Sequence, residues 1–491
     1  MSSVQRSIFF SAAERYASLV LFFLVTAVLS RMLSPKEFGI FAVISALTTV
    51  ITASFQDFGG PNYLIQKQEL SRDAIRTAFT ITLGLSVAIG LVLFASAHLI
   101  SHFFQQDSLS TGIAASALNF LLIPFSGTVS ALFRRDMQFG KLAVCNLAAN
   151  SMGAVASIIL AMLNFSAMAL ILGNIATNAL LTILLVAWHR DVGTFRPSLR
   201  EYRDVLSFGL YSGGVSVINV FYNLAPQLFL ARILDFASVG LYSRALSITQ
   251  VFDKLVMQAL NPVIMPAIVA QNKAGASLKN VYLEAVQLLA AVQWPFLAFI
   301  AVMARSIIAI WLGESWLDIV PLVRVLCIAN MALFAACLSY PVLVASGRVQ
   351  DALTSSLISL PPSLLVILCA SFFGVQAVAA SALLTLPFQA SVAIYFIGRR
   401  LAITPRELAN ALLKSGAVTA LSACGAAGCA ALIDAGMLLP FVGLISACVA
   451  FLVCWWLGLA LTGHPLLDHL SQAAASLAVN APGLRPSRPL L

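Results

Sequence analysis

Stretches of about twenty mostly apolar residues recur along the whole chain, and that is the length an α-helix needs to cross the hydrocarbon of a bilayer. They fall at 8–31, 36–58, 77–101, 110–133, 140–163, 167–189, 205–231, 237–269, 280–304, 318–346, 351–373, 376–398, 408–433 and 438–462. Short charged or Gly/Pro-containing breaks separate them. Of the 491 residues only 10% are charged, whereas 60% are hydrophobic. A soluble chain carries roughly 25% charged residues, so this one cannot clothe a water-exposed surface of its size. A soluble enzyme, a disordered scaffold and a fibrous protein are excluded. The expectation is an all-α polytopic membrane protein with about fourteen transmembrane helices.

Charge orients the spans. Lys67, Arg72, Arg76, Arg134, Arg135, Lys141, Arg190, Arg196, Arg200, Arg203, Arg399, Arg400 and Arg406 lie in the even-numbered loops, whereas the odd-numbered loops hold Arg31, Lys36, Arg232 and Arg305. Cytoplasmic loops retain Lys and Arg, so both termini are expected in the cytoplasm, with the protein in a bacterial inner membrane. The net charge of +9 follows from this bias and from attraction to anionic lipid, and gives no reason to expect nucleic acid. Met1–Arg6 is polar, and the apolar segment after it carries Glu14 and Arg15, which reads as a retained first span and not a cleaved signal.

The segment 29–47, LSRMLSPKEFGIFAVISAL, aligns with 230–248, LARILDFASVGLYSRALSI, at a constant offset of 201 positions. Leu29, Arg31, Leu33 and Gly39 match Leu230, Arg232, Leu234 and Gly240. Each segment joins the first and second spans of a six-span set, so the sets would be parallel repeats, an arrangement found in transporters whose halves rock about a central site. The domains expected are an N-lobe (1–189), a basic cytoplasmic linker (190–204), a C-lobe (205–399), two extra helices (400–463) and a cytoplasmic tail (464–491).

Ionisable groups inside spans cost about 2.5–3.5 kcal/mol each at the membrane centre and so call for an explanation. Arg244, Ser247, Val251, Lys254, Gln258 and Asn261 recur at helical spacing on one face of the eighth span. The seventh carries Ser212, Ser216, Asn219, Asn223 and Gln227 in a similar stripe. Subtracting 201 places Arg15 on the equivalent face of the first span. A hydrated cavity lined by Arg15, Arg244 and Lys254, with Ser216, Asn219, Asn223 and Gln258 as its polar wall, would suit an anionic headgroup. The alternative for Arg15, Asp57, Glu284 and Arg244 is that they snorkel to the span ends. Glu14, Asp57 and Asp253 are the carboxylates available for proton or sodium coupling, and Glu14 also suits a local pairing with Arg15. The pairs Asn146/Asn150 and Asn174/Asn178 read either as interhelical glue or as ligand contacts.

Enzyme signatures such as a Walker A run, HExxH or GxSxG are missing, and the loops are too short for a catalytic domain. The eight Cys fall within spans, and Cys424 and Cys429 have no His nearby, so neither a metal nor another cofactor is expected.

Several runs in order resemble the Wzx-type polysaccharide and lipopolysaccharide flippases of the multidrug/oligosaccharidyl-lipid/polysaccharide exporter superfamily. They are VLSRMLSPKEFGIFAV with QDFGGPNYLIQK, ALFRRDMQFGKLA at 131–143, VLSFGLY at 205–211, ARILDFASVGLYSRAL at 231–246, NPVIMPAI at 261–268, IAIWLGESWLDIVPLVRVLC at 308–327 and VASGRVQDA at 344–352. The resemblance implies translocation of an undecaprenyl-pyrophosphate-linked oligosaccharide to the periplasmic leaflet by alternating access. It also implies membrane lipids and the polymerase and chain-length proteins of a surface-polysaccharide pathway as partners. The chain departs from its relatives at APQLFLARILD, where Gln227 stands in a region that often carries an acid. A multidrug or cation exporter of the same superfamily would favour an acidic cavity, which the basic stripe opposes. A membrane glycan polymerase would need a long periplasmic loop, which the odd-numbered loops do not provide.

Overall fold

The computed structural model describes residues 3–56, 60–67, 70–189, 191–257, 268, 277–334, 338, 342–343 and 349–480, with only the backbone described at 3–9, 53–56, 60, 62, 66, 192, 204, 206–219, 349, 352–353 and 473–480. Apolar side chains on every face drive these segments to bury their backbone polar groups within themselves, which in lipid means helices. No strand occurs among the described residues.

The first helices are α1 (Ser3–Met32), α2 (Pro35–Gln56), α3 (Gly60–Gln66), α4 (Arg72–Phe104), α5 (Ser108–Ser116) and α6 (Asn119–Arg135). They are followed by α7 (Phe139–Met162), α8 (Ala167–His189), α9 (Tyr202–Ile233) and α10 (Phe236–Thr249). The remainder are α11 (Leu278–Trp311), α12 (Val320–Asn330), α13 (Val349–Ser371), α14 (Val375–Leu401), α15 (Pro405–Asp434), α16 (Pro440–Thr462) and α17 (Pro465–Asn480). Twelve helical segments among the described residues are long and apolar enough to cross a membrane, and each coincides with an expected span. The expected spans outside that dozen are 205–231, on α9, and 237–269, where α10 gives way at Gln250 to a π-helical turn over Asp253–Met257. Side chains 206–219 and most of 258–276 lie outside the described residues.

Element ends follow local chemistry. Ser71 caps α4 by accepting from the Ala74 amide, and Gln105 closes it in the left-handed region at φ 55°. Thr404 and Glu407 form a capping box on α15, with Pro405 in its first turn. The expected span 110–133 is broken by a turn at 117–118 between α5 and α6.

The chain packs into two compact units, Met1–Ser247 with Trp311–Ile319 and Leu364–Ser381, and Ile248–Ile310 with Val320–Ser363 and Ala382–Leu491. In the first, α7 packs on α8 and α1, while α6 packs on α4 and α8. The segment 311–319 is held to α1 by two indoles, with Trp311 Nε1 donating to the Phe23 carbonyl at 2.9 Å and Trp316 Nε1 to the Ser30 carbonyl at 2.7 Å. In the second, α15 and α16 form a tight pair, and Trp455 Nε1 of α16 donates to the Ala291 carbonyl of α11 at 2.9 Å.

The repeat seen in the sequence meets itself inside the first unit. A Cβ at Gly39 would lie 1.7 Å from the Phe236 carbonyl oxygen, and one at Gly240 would lie 1.9 Å from that of Pro35. Pro35 and Phe236 are themselves 201 positions apart, so the contact is reciprocal, as a local twofold relation between α2 and α10 requires.

The segment expected as the linker is tightly fastened. Arg76 Nε donates to the Gly193 carbonyl at 3.0 Å and the Ser198 amide donates to Thr80 Oγ1 at 3.0 Å. Glu201 is a hub that pairs with Lys67 and accepts from Ser71 Oγ at 2.5 Å and from the Tyr63 hydroxyl at 3.5 Å. These donors, Lys67 first, hold the Glu201 carboxyl below the usual carboxylate range, and Glu201 in turn pushes the Lys67 ammonium up.

Candidate substrate cleft

Two adjoining cavities of about 300 and 360 Å³ open within the first unit, both bordered by Thr52, Phe120, Ile123 and Asn178. Such volumes are of the size that holds small-molecule ligands. Helices α2, α4, α6 and α8 build most of the walls, with Pro61 of α3 and Ser116 of α5. From α2 come Ser45, Thr48, Thr49 and Thr52, and from α4 come Thr82 and Ser86. Asn119, Ser126, Ser130 and Arg134 belong to α6, and Asn174 and Asn178 to α8. Among the described residues, every polar wall residue is a hydroxyl or carboxamide apart from Arg134, and no carboxylate borders either cavity.

Hydroxyls can sit on apolar helices where they bond back to their own helix, as several here do. Thr48 Oγ1 donates to the Ile44 carbonyl at 2.8 Å, Thr52 Oγ1 to Thr48 at 2.7 Å and Thr82 Oγ1 to Ala78 at 2.7 Å. The donor is thus satisfied within the helix, while the oxygen keeps an acceptor site for a ligand. At the centre, Asn178 Nδ2 donates to Asn119 Oδ1 at 2.9 Å and to Asn174 Oδ1 at 3.0 Å. The glue and ligand readings of Asn174/Asn178 therefore meet in one place, since the carboxamides tie α6 to α8 and also face the cleft. Pro124 inside α6 withholds the amide that the Phe120 carbonyl would otherwise accept from.

The other described residues singled out in the sequence lie elsewhere. Glu14 accepts from Asn146 Nδ2 at 3.1 Å, and Ser18 accepts from Asn150 Nδ2 at 3.4 Å, so the Asn146/Asn150 pair joins α7 to α1. Arg15 is half-buried beside Glu14. The Arg244 guanidinium lies 3.7 Å from the Phe38 ring centroid and 5.9 Å from that of Trp316, and the two rings meet edge-on with centroids 5.3 Å apart. Lys254 and Asp253 belong to the π-helical turn, the first half-buried and the second exposed. Asn223 is exposed on α9. Asp57 and Gln258, and the side chains of Ser216 and Asn219, fall outside the described residues. None of the described residues in this group borders the two cavities. Among the described residues, no cluster of His, Cys, Asp and Glu could hold a metal ion.

Two regularities could have revealed the cleft. Ser126, Ser130 and Arg134 recur at four-residue steps, and Ser45, Thr48, Thr49 and Thr52 share one face of α2. The first was hidden because Arg134 counts equally well as an orienting loop charge. The second was hidden because Ser and Thr are common in membrane helices.

A family model described as "Polysaccharide biosynthesis protein" matches residues 28–321. A Klebsiella pneumoniae protein described as an uncharacterized membrane protein in the cps region is 24% identical over 65% of this chain and 66% of its own length. The lipopolysaccharide biosynthesis protein WzxC of Escherichia coli K12 is 24% identical over 62% of each chain. The succinoglycan biosynthesis transport protein ExoT of Rhizobium meliloti is 25% identical over 70% of each. This chain thus spans somewhat under two thirds of the first two relatives. Among solved structures, the lipid II flippase MurJ in an inward closed conformation superposes with a TM-score of 0.70 at 10% identity, covering 92% of this chain and 99% of that one. An inward-facing MATE-family multidrug transporter of the MOP superfamily gives 0.65 at 14%, covering 78% and 94%. At these identities the likeness is one of fold.

Proposed function

The chain belongs to the polysaccharide biosynthesis protein family, and on that premise we propose that it carries a prenyl-pyrophosphate-linked oligosaccharide from the cytoplasmic to the periplasmic leaflet by alternating access. The observation that carries this reading is the cleft of α2, α4, α6 and α8, whose hydroxyls and carboxamides match the hydroxyls of a glycan. Multidrug export, the role in the name of the MATE-family structure, calls for a carboxylate wherever the drug is a cation. Among the described residues the charged group of the cleft is Arg134, a cation, which supports the glycan reading.

In this reading the protein sits in the bacterial inner membrane with both termini in the cytoplasm, where the even-numbered basic loops place them. The polymerase and chain-length proteins of a surface-polysaccharide pathway are its partners downstream. Glu14, braced by Asn146 and next to Arg15, is the carboxylate through which a proton or sodium ion would couple to transport.

The test is leaflet transfer of a fluorescent prenyl-pyrophosphate disaccharide in proteoliposomes. The wild type is expected to transfer it, and Glu14→Gln to transfer at least tenfold more slowly under an ion gradient. Absence of transfer by the wild type together with export of an organic cation would overturn the reading. Arg244→Ala and Lys254→Ala in the same assay test whether the sequence-derived cations act on this substrate.

A further inference from the structure

The cleft is chemically polarised along α6. At one end stand Asn119 and Asn178, and at the other, in the last turn of the helix, stands Arg134. A rise of 1.5 Å per residue separates the two ends by about 22 Å along the helix axis. Ser126 and Ser130 lie between them, on the helical face that Arg134 shares.

Arg135, Lys67 and Arg200 are engaged in holding the fold. Arg135 Nη1 donates to the Leu64 carbonyl at 2.8 Å and to the Lys67 carbonyl. Lys67 pairs with Glu201, and Arg200 with Asp73 at 2.9 Å. Arg134 is exposed and borders the cleft. The helix dipole at this end is negative and repels an anion, so attraction for one has to come from the guanidinium itself. A guanidinium grips a phosphate through two parallel hydrogen bonds.

We propose that the cleft binds a phosphate-linked glycan in one fixed direction, with the phosphate on Arg134 and the sugars laid along Ser130 and Ser126 towards the Asn119–Asn178 pair. The proposal rests on the flippase reading for the identity of the cargo. It adds which end of the cargo enters where, and which residue discriminates each part. Inorganic phosphate and phospholipid headgroups share the chemistry that Arg134 recognises, whereas only a glycosylated cargo engages both ends.

Binding tests this without transport. The full chain in nanodiscs is titrated with farnesyl pyrophosphate, with a farnesyl-pyrophosphate-linked disaccharide and with inorganic pyrophosphate. Binding is read from the rise in Tm in wild type, Arg134→Gln, Arg134→Lys, Asn178→Leu and Thr49→Val. The wild type is expected to bind the disaccharide at least tenfold more tightly than farnesyl pyrophosphate. Arg134→Gln should weaken all three ligands at least tenfold, with partial recovery in Arg134→Lys. Asn178→Leu should leave farnesyl pyrophosphate unchanged and abolish the gain from the disaccharide. Thr49→Val borders the same end without the Asn178 bonds, and should reduce that gain even if Asn178→Leu fails to fold.

Equal binding of farnesyl pyrophosphate by wild type and Arg134→Gln would overturn the proposal. So would equal loss of both farnesyl ligands on changing Asn178 or Thr49. Displacement of the disaccharide by phosphatidylglycerol as effectively as by its own unlabelled form would assign the site to lipid headgroups and sink it as well. A wild type that shows the expected binding pattern yet transfers nothing across the bilayer would instead defeat the flippase reading.

Discussion

Arg244 shows how far a residue can be read before its partners are known. Its place on a helical stripe marks it as a cation that needs an anion. The structure supplies aromatic rings instead, with Phe38 face-on at 3.7 Å and Trp316 at 5.9 Å. A ring can satisfy a guanidinium because its face is negative, and a desolvated contact of this kind is worth about 1–2 kcal/mol. Neither ring could be assigned from spacing, because Trp316 comes from the segment that folds back onto α1. The stripe itself assumes a uniform 100° step, which ends at Gln250 where the winding changes. A double-mutant cycle with Arg244→Met and Phe38→Leu is expected to give a coupling of about 1 kcal/mol in thermal or denaturant unfolding. Arg244→Lys should lose much of that energy, since an ammonium cannot stack as a planar guanidinium does. A coupling near zero would leave the ring contact energetically idle and return Arg244 to a ligand-binding role.

At the scale of elements, hydropathy located most helices closely. The expected spans 140–163 and 167–189 correspond to Phe139–Met162 and Ala167–His189. Apolar length is a physical requirement of the bilayer, so it must be written into the chain. Helices too short to span are under no such requirement, and α3 and α17, of 7 and 16 residues, do not show as separate apolar runs. Helix α17 begins at a buried histidine that holds it in place. His464 Nδ1 accepts from the Leu466 amide at 3.1 Å, and Nε2 lies 3.1 Å from Ser415 Oγ, which donates to the Gln287 carbonyl at 3.0 Å. This network is satisfied by an imidazole protonated on Nε2 alone, because a second proton on Nδ1 would face the Leu466 N–H. Burial, helped by the Lys414 ammonium, pushes the His464 pKa down to about 4. An unfolded histidine titrates near 6.5. The stability from the neutral ring is therefore complete above about pH 6.5, falls as pH drops because only the unfolded chain takes up the proton, and levels off below about pH 4. Between pH 7.5 and 5 the loss should be on the order of 1–2 kcal/mol. Comparing that pH dependence in wild type and His464→Asn checks it. The variant should be weaker at pH 7.5, with a markedly flatter slope, whereas an unchanged slope would place the acid sensitivity elsewhere.

At the scale of the whole molecule, the internal repeat is where sequence and structure converge most directly. A match at an offset of 201 shows that two hairpins are alike, but it does not say that they touch. Their contact is visible only in three dimensions, where Gly39 and Gly240 each take the other hairpin's carbonyl at a distance no Cβ tolerates. The cleft was less legible for a related reason. Its walls come from several helices, and a hydroxyl satisfied within its own helix gives no sign in the sequence of facing a cavity. The reciprocal glycine contact makes a quantitative prediction about symmetry. Gly39→Ala would drive a methyl group into the Phe236 carbonyl and Gly240→Ala into that of Pro35, so each must push α2 and α10 apart. The two single variants should destabilise the protein to a similar degree, by about 1–3 kcal/mol as expected for overpacking a tight contact. The double variant should cost clearly less than the sum, because the first methyl group opens the space that the second occupies. Apparent Tm values of the four proteins in one detergent decide the matter. Additive losses would mean that the two methyl groups are relieved independently, and that the contact does not behave as one shared seam between the repeats.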